Sequence, residues 1–126
     1  MAKKSVLIIG EDPALIDFDA PGAPKDMNAA RIMAGLNGSV VRLQAAGHEA
    51  ELLLTRDTAS VETQVSRALQ DRNYDVIVIG AGLRTLPPMA EQFERLMNVL
   101  RDKSPKSKVA FNSRPDDSDA AALRWL

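Results

Sequence analysis

Two stretches of this chain, KSVLIIG at residues 4–10 and YDVIVIG at residues 74–80, are apolar at successive positions rather than at alternate ones. Successive side chains of a strand point to opposite faces of a sheet. A strand apolar on both faces must be covered on both faces, the condition of a parallel sheet between helix layers. Both runs end in glycine, and both are far too short to cross a membrane.

The segments between them carry helical spacing. Residues 28–46 place Ile32, Met33, Leu36, Val40 and Leu43 at intervals of three and four, and Gly47 follows as a helix stop. Residues 49–55, EAELLLT, form a second expected strand. Residues 58–71 put Val61, Val65, Ala68 and Leu69 on one helix face, with Asp57 or Thr58 as N-cap. Residues 88–101 do the same with Met89, Phe93, Leu96, Met97 and Leu100. Residues 108–112, KVAFN, make a fourth strand. Pro115 then opens a last helix, with Asp116, Asp117 and Asp119 near its positive end.

Strands alternating with helices imply parallel pairing through right-handed crossovers. The expectation is one domain over residues 1–126, a three-layer α/β/α sandwich with a four-stranded parallel sheet in the order 2-1-3-4. The first and last helices would cover one face, and the second and third the other. Ligands of such sheets bind beyond the carboxyl ends of the strands, where the order reverses. That point falls between the loops beginning Gly10-Glu11-Asp12 and Gly80-Ala81-Gly82.

Composition removes several chemistries. The 126 residues contain no cysteine, hence no disulfide, thiolate metal site or thiol nucleophile. Sixteen Lys and Arg against seventeen Asp and Glu leave a net charge of −1, with no basic stretch suited to nucleic acid. Met1-Ala2-Lys3-Lys4 leads into no apolar stretch of signal-peptide length, so a cytoplasmic protein without export signal or membrane span is expected. The single histidine, His48, falls at the amino end of the sheet, away from the expected site.

The glycines after the third strand resemble a phosphate loop but lack its parts. A dinucleotide fingerprint needs G-x-G-x-x-G, and position 85 is Thr. Pro87 and Pro88 disfavour helical geometry just before them, so the third helix is expected to start near Pro88, beyond Gly82. Gly80 and Gly82 are then a turn required by packing or by a positive φ. Glu11 and Asp12 would repel a phosphate, yet such a pair can ligate a hard cation such as magnesium. Arg84 and Arg114 both follow strand ends and together could clamp a carboxylate or phosphate. Asn112 and Ser113 could add hydrogen bonds at the same rim, and Ser113 could instead cap the last helix. No cofactor is identifiable.

The layout resembles receiver domains and other flavodoxin-like or Rossmann-like proteins at the level of fold. Glu11-Asp12 stands where a receiver keeps its acidic pair, and Ser113 where it keeps a hydroxyl after the fourth strand. Gly80 replaces the phospho-accepting aspartate, and a fifth strand with its lysine is missing, so the resemblance implies no aspartyl-phosphate switch. The layout is also similar to sugar-phosphotransferase B components of the lactose or cellobiose type, whose cysteine after the first strand has no counterpart here. The segments DPALIDFDAPGAP, MNAARIMAGL and AFNSRPDDSDAAALRWL resemble signatures of small uncharacterised bacterial α/β proteins. That resemblance carries no activity with it.

Residues 11–27, EDPALIDFDAPGAPKDM, are longer than the usual connection between a strand and a helix. Leu15, Ile16 and Phe18 make the segment either a lid or partner contact, or a flap whose Leu15 and Phe18 fold back on the helices. The expected function is binding of a small anionic ligand or a protein partner at Glu11, Asp12, Gly80, Gly82, Arg84, Asn112, Ser113 and Arg114. A small enzyme using the acidic loop as base or magnesium site, and a homo-oligomerisation module, are the alternatives.

Overall fold

The structure is a computed structural model that describes residues 3–21, 23 and 25–126. Met1 and Ala2, read above for an export signal, and Gly22 and Pro24 of the long loop lie outside the described residues. Among the described residues, four strands form one parallel sheet: β1 (Ser5–Glu11), β2 (Glu49–Thr55), β3 (Val76–Ile79) and β4 (Lys108–Phe111). Their order is β2-β1-β3-β4, the order expected from the sequence. Five helices connect and cover them: α1 (Ala29–Ala45), α2 (Val61–Leu69), α3 (Ala81–Arg84), α4 (Ala90–Lys103) and α5 (Ser118–Leu123). Short 3-10 turns occupy Pro13–Leu15, Pro87–Met89 and Pro115–Asp117.

The double apolar face of β1 divides between two cores. Val6 and Ile8 meet Ile32, Leu36 and Leu43 of α1 and Ala121 and Ala122 of α5. Leu7 and Ile9 meet Val61, Val65 and Leu69 of α2 and Leu96 and Leu100 of α4. Val76–Ile79 of β3 alternate in the same way, and the eight apolar side chains Val6–Ile9 and Val76–Ile79 are all buried. Each fully buried side chain of this kind stabilises the fold by about 1.5–3 kcal/mol. No helix of the described residues is long and apolar enough to cross a membrane.

Local chemistry sets the ends of α1. The Asn28 side-chain oxygen accepts the Arg31 N–H at 2.9 Å and caps the amino end. Gly47, at φ +93°, ends the helix as expected: its N–H reaches the Gln44 carbonyl at 3.0 Å, and the His48 N–H reaches that of Leu43 at 3.0 Å. These two bonds satisfy carbonyls the last turn would leave free.

Three boundaries differ from the sequence expectation. Asp57 caps no helix. Its carboxylate accepts the Ser60 N–H at 2.7 Å, which closes a separate turn and delays α2 to Val61. Pro115 opens a 3-10 turn, and the helix proper begins at Ser118. The third difference bears on the site. A helical turn, α3, starts at Ala81, directly after the glycine that ends β3. The proline constraint acts where it must, at Leu86, which is extended (φ −95°, ψ 124°). It does not reach back to residues 81–84, which are free to coil.

Candidate functional site

The strand order reverses between β1 and β3, and a crevice of about 770 Å³ opens there. Its floor is Gly10 and Glu11 from β1 and Gly80, Ala81 and Gly82 after β3. One wall is the amino-terminal half of α1, with Arg31, Ile32, Gly35 and Leu36; the other runs from Asn112 to Asp116. Ile16 and Lys25, Asp26 and Met27 close it from the long loop.

The two floor glycines serve different ends. Gly80 has φ −67° and ψ 149°, so no positive φ demands it. Packing does: its N–H donates to the Ile9 carbonyl at 2.8 Å, and a Cβ there would lie 3.3 Å from that oxygen. A Cβ on Gly82 would meet only the Glu11 Oε2, at an ordinary 3.9 Å. Gly82 is therefore not required by the fold at that point. The Ala81 N–H is already satisfied by the Asn112 side-chain oxygen at 2.8 Å.

The acidic pair is split. Asp12 is structural: its Oδ1 accepts the Ala14 N–H at 3.0 Å, and its own N–H donates to the Thr55 carbonyl at 2.9 Å. Glu11 is half-buried, and no described residue gives its carboxylate a hydrogen bond or an ion pair. Burial, followed by the neighbouring Asp12 charge, raises its pKa above the usual carboxylate value. Among the described residues no three acidic or histidine side chains are grouped to hold a metal ion.

The expected arginine clamp is not assembled. Arg84, at the end of α3, turns onto β4. Its guanidinium donates to the Asn112 carbonyl and lies 4.5 Å from the Phe111 ring centroid. Burial lowers its pKa, though a guanidinium stays charged. It does not line the crevice. Arg114 does, exposed at the rim with its Nε 3.5 Å from Asp116 Oδ1.

Asn112 is a latch rather than a free donor. Besides holding Ala81, its Nδ2 donates to the Ser118 hydroxyl at 2.9 Å, and the side chain is buried. Ser113 lines the wall, but capping runs the other way from expectation. The Asp117 carboxylate accepts the Ser113 N–H at 3.0 Å and the Arg114 N–H at 3.1 Å.

Sequence reasoning missed Lys25, Asp26 and Arg31. Arg31 did leave a signal: it sits in the first turn of α1, where the macrodipole disfavours a cation and no acidic residue stands. A residue so placed is held there by something else. Its Nη1 donates to the Asp26 carbonyl at 2.6 Å, and Asp26 is left-handed at φ +60°. Aspartate tolerates that region better than most residues, but the conformation is still uncommon. The long loop is partly a flap: Ile16 and Phe18 pack on the core beneath α1, whereas Leu15 is 53% exposed. His48 lies between α1 and β2, as expected, with Nδ1 buried and unpartnered among the described residues.

The chain is thus a four-stranded parallel α/β sandwich with a crevice at its switch point. No protein-family model matches it, and no curated protein does. A similar solved structure is that of a fragment described as a "putative lipoprotein" from Peptoclostridium difficile 630. The two are 17% identical with a TM-score of 0.50, over 96% of this chain and 93% of the other. At that identity the likeness bears on the fold alone.

Proposed function

We propose that the chain binds a small ligand carrying an anionic group in the crevice between β1 and β3. One observation carries this reading: the pocket at the strand reversal joins an apolar wall, Met27, Ile32 and Leu36, to three cations, Lys25, Arg31 and Arg114. Pockets of this size and character are where α/β sheets take ligands. The anion would be held by Arg114 and Arg31, with Arg84 kept for structure. A bacterial cytoplasmic setting belongs to the same reading, and rests on the cysteine-free composition and the resemblance of the quoted segments.

Thermal unfolding in the presence of inorganic phosphate, sugar phosphates, nucleotides and short carboxylates tests it. A ligand at about a hundred times its Kd stabilises by roughly 2.7 kcal/mol, a rise of about ten degrees for a domain of this size. Arg114→Ala should reduce that rise. No stabilisation by any member of the panel would count against the reading.

Glu11 favours a second reading, an enzyme. A half-buried carboxylate with a raised pKa on a crevice floor has the properties of a general acid or base. A third, assembly through a protein partner or a second copy, is favoured by Phe111, Leu123 and Trp125, which are 42%, 50% and 52% exposed. Sedimentation that changes with concentration would support it.

A further inference from the structure

The floor of the crevice holds a carboxylate that nothing in the described chain neutralises. Glu11 faces Gly82, whose missing side chain leaves open space beside Oε2. The other polar groups nearby are engaged. Asn112 is latched between Ala81 and Ser118, Asp12 caps the following turn, and Asp116 faces Arg114. A half-buried carboxylate without protein partners is held at a cost, and carboxylates perturbed in this way concentrate at functional sites.

The crevice is also balanced in charge. Glu11, Asp26 and Asp116 line it together with Lys25, Arg31 and Arg114. A polyanion such as a nucleoside triphosphate would meet the carboxylates as well as the cations. A molecule with charges of both signs would meet a partner for each.

We propose that the crevice takes a zwitterion, with its ammonium or other cationic donor on Glu11, its carboxylate or phosphate on Arg31 and Arg114, and an apolar spacer against Met27 and Ile32. This rests on the binding reading above and specifies its ligand class. The ammonium supplies the donors that Glu11 lacks, and a charge-assisted bond of this kind is stronger than a neutral one. Burial and the Asp12 charge keep the ionised Glu11 uncomfortable without a ligand, so a cation is rewarded there.

Isothermal titration with 6-aminohexanoate, hexanoate and hexylamine tests this in the wild-type chain, Glu11→Gln and Arg114→Ala. Circular dichroism confirms that each variant is folded. The wild type should bind 6-aminohexanoate about tenfold more tightly than either single-charge probe, the discrimination expected of one charge-assisted bond. In Glu11→Gln the advantage over hexanoate should vanish, and in Arg114→Ala both carboxylates should weaken. Equal wild-type affinities for hexanoate and 6-aminohexanoate, or an advantage that survives Glu11→Gln, would overturn the zwitterion while leaving anion binding in place. No heat from any of the three probes would overturn it as well, and the anion panel above then decides the broader reading.

Discussion

Gly80 and Gly82 sit two residues apart and answer to different physics. At Gly80 an added methyl presses on the Ile9 carbonyl, a backbone atom fixed inside the sheet. Gly80→Ala should lose about 1–3 kcal/mol, the usual cost of overpacking. At Gly82 the methyl meets only the tip of Glu11, and alanine suits a helical turn better than glycine by about 1 kcal/mol. Gly82→Ala should keep or slightly raise the midpoint of urea unfolding, while filling space beside Glu11. A large stability loss in Gly82→Ala would mean that the glycine is structural after all. Glu11 supplies a pH-dependent prediction. Its folded pKa is raised above the ordinary 4.5, so the folded state holds the proton more tightly than the unfolded chain does. Stability from this group is complete below the unfolded value and lost as pH rises through the folded one. Glu11→Gln, neutral throughout, should therefore unfold at a higher temperature than the wild type at pH 7. The difference should close below about pH 4. A wild type more stable than Glu11→Gln at neutral pH would contradict an unpartnered carboxylate.

Among the elements, α1 does most to shape the crevice, because it is held very close to the Pro115–Asp117 turn. A Cβ on Gly35 would lie 2.9 Å from the Asp116 amide nitrogen and 2.9 Å from the Pro115 Cβ. Neither atom belongs to a side chain that can swing away. The Arg42 guanidinium fixes the same approach, pairing with Asp119 at 2.8 Å and with the Asp116 carbonyl at 2.7 Å. Gly35→Ala gains about 1 kcal/mol of helix propensity but forces the two elements apart. The net expectation is a loss of up to about 2 kcal/mol in denaturant unfolding, the overpacking cost less that gain. Unchanged or improved stability would show that the elements can separate freely. The sequence announced α1 well, through Asn28, the apolar spacing and Gly47. It announced α3 poorly: four residues carry no periodicity, and the prolines at 87 and 88 drew the expected start downstream. That one turn redirects Arg84 to Phe111, so the expected clamp failed for a local backbone reason.

At the scale of the molecule, the sheet was legible because β1 and β3 are apolar on both faces and must be central. β2, with Glu49 and Glu51 exposed, and the short β4, with Lys108 exposed, suit edges. The location of the crevice followed from the topology, and Glu11, the two glycines and Arg114 were recognised as its lining. Lys25 and Asp26 were not, because they belong to the long loop, whose Ile16 and Phe18 pack on the core; Arg31, in the first turn of α1, was missed despite the signal its position carries. No local pattern encodes that folding. The proposed ligand requires binding at this crevice and not at another surface. A rival groove exists at the amino end of the sheet, where Lys4, Lys103, Lys106 and Lys108 gather near Trp125. Backbone amide NMR during titration with 6-aminohexanoate and inorganic phosphate separates the two directly. Shifts should concentrate at Gly10, Glu11, Ala81, Gly82, Arg31 and Arg114. Shifts confined to Lys103, Lys106, Lys108 and Trp125, with the crevice amides unmoved, would contradict it.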